Sequence, residues 1–97
     1  MRVRDVSLRD GLQDEAPITT DAKLAIYEAL LAAGVDDLEL TSFVRPDRVP
    51  AMADADHLAA NVHAGPSRAV THWGLVLNER GAQRAVAAGI DHLQFVL

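Results

Sequence analysis

The chain has 97 residues, about one small domain, and its 49% hydrophobic and 24% charged residues are typical of a folded globular protein. A formal net charge of −5, without a cluster of Lys and Arg interleaved with aromatic residues, disfavours a nucleic-acid partner. The sequence lacks cysteine, which excludes disulfides and a thiolate zinc site. It also lacks an apolar run of membrane-spanning length, so we predict a soluble cytoplasmic chain without a membrane partner.

The first half of the chain predicts a strand, a helix and a second strand. A short apolar run indicates a strand over residues 3–8, and a polar loop that contains the Asp10-Gly11 breaker follows it. Apolar residues at helical spacing then predict a helix that Thr19 or Thr20 caps and that ends at Gly34. The second strand is predicted over residues 35–40.

The second half continues the same alternation. An Ala-rich helix is predicted over residues 51–62, and Gly65-Pro66 breaks the chain after it. The pattern then predicts a third strand over residues 69–77, a helix over residues 79–88 and a fourth strand over residues 90–97.

An internal repeat supports the order β-α-β-α-β-α-β with parallel strands. Residues 32–38 (AAGVDDL) are similar in sequence to residues 87–93 (AAGIDHL), so the same joint between a helix and a strand occurs twice. Such units build a parallel sheet with right-handed crossovers, and a complete (β/α)8 barrel takes roughly 250 residues. We therefore predict an α/β fold in which residues 1–97 are the amino-terminal part of a TIM barrel and end in its fourth strand. An open four-stranded sheet is the alternative.

Arg9 and Asp10 follow the first predicted strand, at the position where parallel α/β folds bind their ligands. Gly11 lets the chain turn there, so both side chains can face one pocket. The aspartate is a hard oxygen ligand suited to Mg²⁺ or Mn²⁺, and the arginine can stabilise an oxyanion or enolate beside it. The alternative is a hairpin turn with a surface salt bridge. The residues from Gln13 onward disfavour the hairpin, because they lead into a helix and not into a partner strand.

Glu39 lies between two leucines on the second predicted strand. If its side chain points into a barrel, we expect it to pair with Arg9 on the neighbouring strand, because an unpaired buried charge is costly. The alternative is that Glu39 faces solvent at an open edge. Ser42 lies at the exit of the same strand, where its hydroxyl either contacts a ligand or caps the loop.

The histidines form no H-x-H or H-x-x-x-H pair of the kind that holds one metal ion. We interpret all four as surface residues: His57, His63, His72 and His92.

Three blocks of the sequence carry a family resemblance. They are residues 9–15 (RDGLQDE), residues 38–44 (LELTSFV) and residues 85–89 (AVAAG), and the second block is followed by Pro46, Val49, Pro50 and Met52. Together they resemble the 3-hydroxy-3-methylglutaryl-CoA (HMG-CoA) lyase family, within a superfamily of metal-dependent lyases and Claisen synthases on TIM barrels. The first block is shared with the synthases, whereas the second is typical of the lyases. The resemblance covers the whole chain.

The resemblance implies a reaction and a role for each candidate residue. The reaction is the cleavage of HMG-CoA to acetyl-CoA and acetoacetate, in which a divalent metal, Mg²⁺ or Mn²⁺, polarises the substrate oxygens as a Lewis acid. By this resemblance Asp10 would be a metal ligand. Arg9 would be catalytic, because it would bind the substrate and stabilise the enolate. Glu39 would be catalytic because it would support Arg9 and Asp10. Gln13 and Ser42 would bind the substrate along the acyl pocket.

Two departures from the family pattern leave alternatives open. Ahead of Arg9 the chain has Asp5 and Ser7-Leu8, where family lyases usually have Glu and Gly-Pro, and this is closer to the synthases. The remaining metal ligands and the catalytic cysteine of the family lie in later strands. We therefore predict an inactive isolated chain and a homo-oligomeric full-length enzyme that acts on an acyl-CoA. The alternatives are a synthase or aldolase of the superfamily, and a non-catalytic remnant that self-associates through unpaired strand edges.

Overall fold

The computed structural model describes residues 4–13, 16–45, 47–64, 69–90 and 92–96. Within these ranges the elements, in chain order, are α1 (Asp10–Gln13), α2 (Thr20–Ala32), β1 (Asp37–Phe43), a 3₁₀ turn (Pro50–Met52), α3 (Ala55–Ala64), β2 (Thr71–Val76), α4 (Glu79–Ala87) and β3 (His92–Phe95). From α2 onward, the predicted alternation of helices and strands is confirmed. Three predicted features lie outside the described residues: the start of the first strand at Val3, the break at Gly65-Pro66 and the end of the fourth strand at Leu97.

The three strands form one parallel sheet in the order β1-β2-β3. Glu39 of β1 lies opposite Trp73 of β2, and Leu75 of β2 lies opposite Gln94 of β3. Each strand therefore pairs with its neighbour in sequence, as consecutive βα units require. The predicted parallel arrangement is confirmed for these strands.

The predicted first strand is wrong in extent, because over residues 4–8 it amounts to one isolated parallel bridge between Asp5 and Leu38. The Asp5 N–H donates to Asp37 O, and the Glu39 N–H donates to Asp5 O, both at 2.9 Å. The ladder stops there because the chain turns at once: the Ser7 N–H donates to Asp5 Oδ1 at 2.8 Å. Asp5 nevertheless lies beside β1 on the edge away from β2, which is the position that the barrel order predicts.

The loop predicted after the first strand contains the helical turn α1. The N–H groups of Arg9 and Gly11 both donate to Val6 O, at 3.2 and 3.1 Å. Asp10 and Gly11 were expected to break the chain, but they begin α1, because Val6 O accepts the first hydrogen bonds of the turn.

The helix α2 begins and ends where the sequence predicts. Thr19 caps it by accepting a hydrogen bond from the Ala22 N–H at 3.1 Å. Gly34 follows it with φ +94°, and Gly89 follows α4 with φ +97°, both in the left-handed region that favours glycine. Both copies of the predicted helix-to-strand joint are thus confirmed. At 13 residues α2 is the longest described helix, and none of the described helices is long and apolar enough to cross a bilayer.

The Ala-rich segment forms the 3₁₀ turn and α3, where the sequence predicts a single helix over residues 51–62. The side chain of Lys23, 1% exposed, lies against the interruption. Its Nζ donates to Ala51 O at 2.5 Å and also contacts Asp54 Oδ1. Ala51 O therefore bonds to a side chain at the point where a continuous helix would bond it to a backbone N–H.

The remaining elements differ from the prediction at their ends. β1 continues to Phe43 and does not end at Leu40, because it pairs with β2 along its whole length. Ser42 and Phe43 therefore belong to a strand and not to a loop. The elements β2, α4 and β3 lie within the ranges predicted for them.

The two faces of the sheet differ in chemistry. One face packs against the helices and forms the core, which includes Leu38, Leu40, Phe43, Val76, Tyr27 and Leu58. The other face carries Glu39, Trp73 and Gln94, which lie on adjacent strands and interact with the segment before α1. The hydrophobic core thus lies between the sheet and the helices, and the opposite, polar face is available for a ligand-binding site.

One histidine contradicts the surface interpretation. His72 is buried, and its Nε2 is 2.8 Å from Tyr27 Oη. The reason is its register, because it lies opposite the core residue Leu38. His57 and His63 are exposed, and His92 is half-buried.

Gly81 lies where α4 meets β1. A Cβ at this position would come within 2.6 Å of Phe43 O, a backbone atom that cannot easily move aside. We therefore expect Gly81→Ala to destabilise the protein by about 1–3 kcal/mol, although alanine favours an isolated helix by about 1 kcal/mol. Thermal unfolding measures the change. The matched control is Gly11→Ala, whose Cβ would meet its nearest atom, Val6 O, at 3.9 Å. A Gly81→Ala protein as stable as the wild type would contradict the close packing of α4 on β1.

Candidate active site

Arg9 and Glu39 form an ion pair at the edge of the sheet. Arg9 Nε donates to Glu39 Oε1 at 2.8 Å, and Arg9 Nη2 lies 2.7 Å from the same oxygen. The side chains are 17% and 7% exposed, so water screens the pair only weakly. The predicted pairing of these residues is confirmed, and the alternative, a Glu39 that faces solvent, is wrong.

Arg4 extends the ion pair into a network on the polar face. Its guanidinium lies 3.8 Å from the centroid of the Trp73 ring, within cation–π distance. Arg4 Nη1 donates to Gln94 Oε1 at 3.2 Å and lies 3.8 Å from Glu39 Oε2. Trp73 Nε1 donates to Asp37 Oδ1 at 2.9 Å, which fixes the ring. Glu39 therefore has a cation near each of its carboxylate oxygens, and its orientation is held from both sides.

A register shift in β1 brings Ser42 to the same side of the sheet as Glu39. The shift falls between Glu39 and Thr41, where the pairing with β2 is irregular. Alternation along a regular strand would place residues three apart on opposite faces, and one extra residue reverses this. Ser42 accordingly lies opposite Leu75, and both line the cavity that Arg9 also lines.

The cavity has a volume of about 940 Å³ and opens where β1 and β2 end. Its inner end is formed by the side chains of Arg9, Ser42 and Leu75, which are buried or half-buried. Its outer end is formed by exposed residues that follow the two strands, among them Arg45, Asp47, Arg48 and Arg80. This volume is in the range of pockets that bind small molecules and cofactors.

Asp10 lies beside the ion pair but is not among the residues that line the cavity. Its Oδ1 is 3.5 Å from Arg9 Nη1, and its side chain is 67% exposed. Among the described residues no group of three or more His, Cys, Asp or Glu could hold a metal ion, so these residues alone do not complete a metal site. Asp10 can supply one oxygen donor. The side chain of Gln13, predicted to bind substrate, lies outside the described part of the chain.

Arg45 and Asp47 form an exposed ion pair at the outer end of the cavity. Arg45 Nη2 donates to Asp47 Oδ2 at 2.7 Å, and Arg45 Nε donates to Asp47 Oδ1 at 3.1 Å. The hydrogen bonds from Arg45 hold the pKa of Asp47 below its ordinary value. Asp47 therefore stays ionised at neutral pH and offsets the charge of Arg45.

Several residues of the site were not predicted from the sequence: Arg4, Trp73, Gln94 and the arginines at the outer end of the cavity. Arg4 is a charged residue within a predicted strand, and Trp73 is the only tryptophan of the chain. A cation on the first predicted strand and a large aromatic residue on the third were the available signal for a polar interior.

Comparison with known proteins finds relatives along the whole chain. The family model described as HMGL-like matches residues 1–97. An (R)-citramalyl-CoA lyase of Chloroflexus aurantiacus is 40% identical over 96% of this chain, and the match covers 32% of that protein. A hydroxymethylglutaryl-CoA lyase of Bacillus subtilis is 37% identical over 92% of this chain and 29% of its own length. The chain thus spans about a third of the length of these relatives.

Solved structures agree with this comparison. An HMG-CoA lyase from Acinetobacter baumannii, in complex with coenzyme A and 3-methylmalate, matches with a TM-score of 0.90 and 33% identity, over 99% of this chain and 31% of that one. The HMG-CoA lyase of Bacillus subtilis matches with a TM-score of 0.87 and 34% identity, over 97% of this chain and 31% of that one. These neighbours are TIM barrels, so the predicted partial (β/α)8 barrel is confirmed.

Proposed function

The chain belongs to the HMGL-like family, and from this premise we propose that the protein is a carbon–carbon lyase that cleaves HMG-CoA to acetyl-CoA and acetoacetate. The relatives named above are lyases that act on CoA thioesters. Because the chain spans about a third of their length, the activity is proposed for the protein in the length that its native cells contain.

The observation that carries this proposal is the rigid Arg9–Glu39 pair at the inner end of the cavity. The cleavage breaks the bond between C2 and C3 of the thioester and leaves its electron pair on an enolate. A base removes the proton of the C3 hydroxyl, C3 becomes the ketone of acetoacetate, and protonation of the enolate carbon gives acetyl-CoA. Negative charge thus develops on the thioester oxygen, where a fixed cation lowers the energy of the transition state.

Arg9 is proposed to be that cation. Glu39 holds the guanidinium by two hydrogen bonds to one edge, so Arg9 needs little reorganisation when the charge develops. Arg4 keeps Glu39 in place from the other side, at 3.8 Å from Oε2. We propose that the Ser42 hydroxyl, at the inner end of the same cavity, binds the acyl group, and that Gln13 does so as well.

Asp10 is proposed as one ligand of a divalent metal, Mg²⁺ or Mn²⁺, whose other ligands come from outside the described residues. When bound, such an ion supplies Lewis-acid polarisation of the substrate oxygens. The exposed carboxylate of Asp10 is a donor of the type these ions prefer. A single carboxylate leaves the ion mostly hydrated, so the isolated 97-residue chain is expected to bind Mg²⁺ weakly and to show negligible turnover.

Citramalyl-CoA is the second candidate substrate, because the Chloroflexus aurantiacus relative is 40% identical to this chain. Both thioesters carry a hydroxyl and a methyl group on C3, and both release acetyl-CoA. They differ in the length of the acid that remains.

The proposal is tested with the protein purified from its native cells, after its intact mass has been measured. We expect acetyl-CoA from HMG-CoA in the presence of Mg²⁺ or Mn²⁺, with citramalyl-CoA assayed beside it. The recombinant 97-residue chain is the control and is expected to be inactive. Condensation of acetyl-CoA with a 2-oxo acid, without cleavage of either thioester, would replace the lyase proposal by a synthase. Concentration-dependent self-association without any turnover would favour the non-catalytic alternative.

A further inference from the structure

The charge of the cavity is opposite to that of the chain. The formal net charge of the chain is −5, yet five of its nine Lys and Arg residues line the cavity. Asp47 is the only acidic residue among the described residues that line it. Such a concentration of one charge at a concave surface attracts anions and disfavours cations.

Three of these five arginines are held by carboxylates. Arg9 and Arg45 form the ion pairs described above. Arg84 Nη2 lies 2.7 Å from Asp56 Oδ1, and Arg84 Nη1 donates to Val44 O at 3.1 Å. The charges of these three side chains are therefore largely offset by carboxylates of the chain itself.

Arg48 and Arg80 are different. Both side chains are exposed, and within the described ranges neither guanidinium makes a hydrogen bond or an ion pair. The hydrogen bonds from Arg45 and, with them, the charge of Arg48 lower the pKa of Asp47. Arg48 lies in the turn that follows β1, and Arg80 lies in the first turn of α4, which follows β2. The turn after β1 and the first turn of α4 thus each place one exposed guanidinium at the outer end of the cavity.

We infer that Arg48 and Arg80 bind the phosphate groups at the nucleotide end of the acyl-CoA. This inference rests on the proposed function and extends it from the acyl group to the CoA moiety. Guanidinium groups match phosphate oxygens through paired N–H donors, which is why arginine is favoured at such sites.

The lining of the cavity also includes apolar side chains that are suited to the pantetheine arm. Leu77 and Val96 line the cavity and are 51% and 40% exposed, although both are apolar. The cavity therefore offers buried or half-buried polar side chains, Arg9 and Ser42, together with exposed apolar side chains and exposed cations. An acyl-CoA carries groups of matching chemistry: a polar acyl group, a largely apolar arm and phosphates.

The test compares two thioesters of the same acyl group, one with CoA and one with pantetheine, which lacks the phosphates. The measured quantity is the ratio of their kcat/KM values for the native-length protein. Arg48→Gln and Arg80→Gln are each expected to lower this ratio about tenfold, the loss of one charge-assisted hydrogen bond. Asp47→Asn is expected to raise it about twofold, because it leaves Arg45 uncompensated. Since all three side chains are exposed, these variants should fold.

Binding of CoA alone, measured by calorimetry, gives a readout that does not need turnover. Weaker CoA binding in both arginine variants, with unchanged pantetheine binding, would support the inference. This holds even if no thioester is cleaved, a result that would count against the proposed function alone. If cleavage proceeds and the ratio is the same in wild type and in all three variants, the inference is overturned and the proposed function stands. Inorganic diphosphate that competes with acyl-CoA as strongly as CoA does would also overturn it, because the site would then be a general anion site.

Discussion

Replacing Arg9 by alanine is expected to lower kcat for carbon–carbon cleavage by about 10²–10³, the effect of removing one donor that stabilises a developing oxyanion. The reason is the position of the guanidinium, which lines the inner end of the cavity and is fixed by Glu39. Because the charge develops in the transition state, kcat should fall much more than KM rises. Steady-state kinetics of the native-length protein measure both constants.

Two further variants separate the charge of Arg9 from its geometry. Arg9→Lys keeps a cation but loses the two donors that converge on Glu39 Oε1, so it should recover only part of the activity. Glu39→Gln keeps the shape of the side chain and removes its charge, so Arg9 remains but is held less firmly. We expect kcat of this variant to lie between those of the wild type and Arg9→Ala. A kcat of Arg9→Ala within about threefold of the wild type would remove Arg9 from the stabilisation of the enolate.

Replacing Lys23 by methionine is expected to destabilise the protein by about 3 kcal/mol, the effect of removing one partner from a buried ion pair. The Lys23 side chain is 1% exposed and the Asp54 side chain is 23% exposed. Lys23 Nζ also donates to Ala51 O, and Thr20 Oγ1 donates to Asp54 Oδ2 at 2.6 Å, so the contact ties α2 to the segment before α3. Methionine keeps the apolar stem but leaves Ala51 O without this donor. Urea unfolding measures the loss.

A double-mutant cycle distinguishes the ion pair from simple loss of packing. Asp54→Asn alone leaves the buried Lys23 without its carboxylate and should also destabilise the protein. The double variant, Lys23→Met with Asp54→Asn, should be less destabilised than the sum of the two single variants, by at least about 1 kcal/mol. Strict additivity would mean that the Lys23–Asp54 contact contributes nothing as a pair.

The elements that the sequence predicted best are those whose ends carry local signals. The helix α2 has a threonine cap and a left-handed glycine, and α4 has Asn78 as its cap and Gly89 after it. These interactions join residues only a few positions apart, so a sequence window contains both partners. The split between the 3₁₀ turn and α3 was not predicted, because the Lys23 side chain that lies against it comes from a different helix.

The candidate site was predicted in part. The pairing of Arg9 with Glu39 followed from the high cost of an unpaired carboxylate on a buried face, which is a general rule. The Arg4 guanidinium, stacked on Trp73 and hydrogen-bonded to Gln94, was not predicted. Its partners lie on two other strands, and their distance from Arg4 depends on how the sheet is assembled.

The sequence by itself determined the alternation of helices and strands, the two glycine joints and the chemical character of Arg9, Asp10 and Glu39, because each of these depends on neighbouring residues or on residue type. Only the tertiary structure decided which face of the sheet Ser42 occupies. That choice depends on one register shift between β1 and β2, and a shift by one residue moves every following side chain to the opposite face. The tertiary structure likewise brought Arg48 and Arg80, which follow different strands, to one end of one cavity, since parallel strands place the loops after them at the same edge of the sheet.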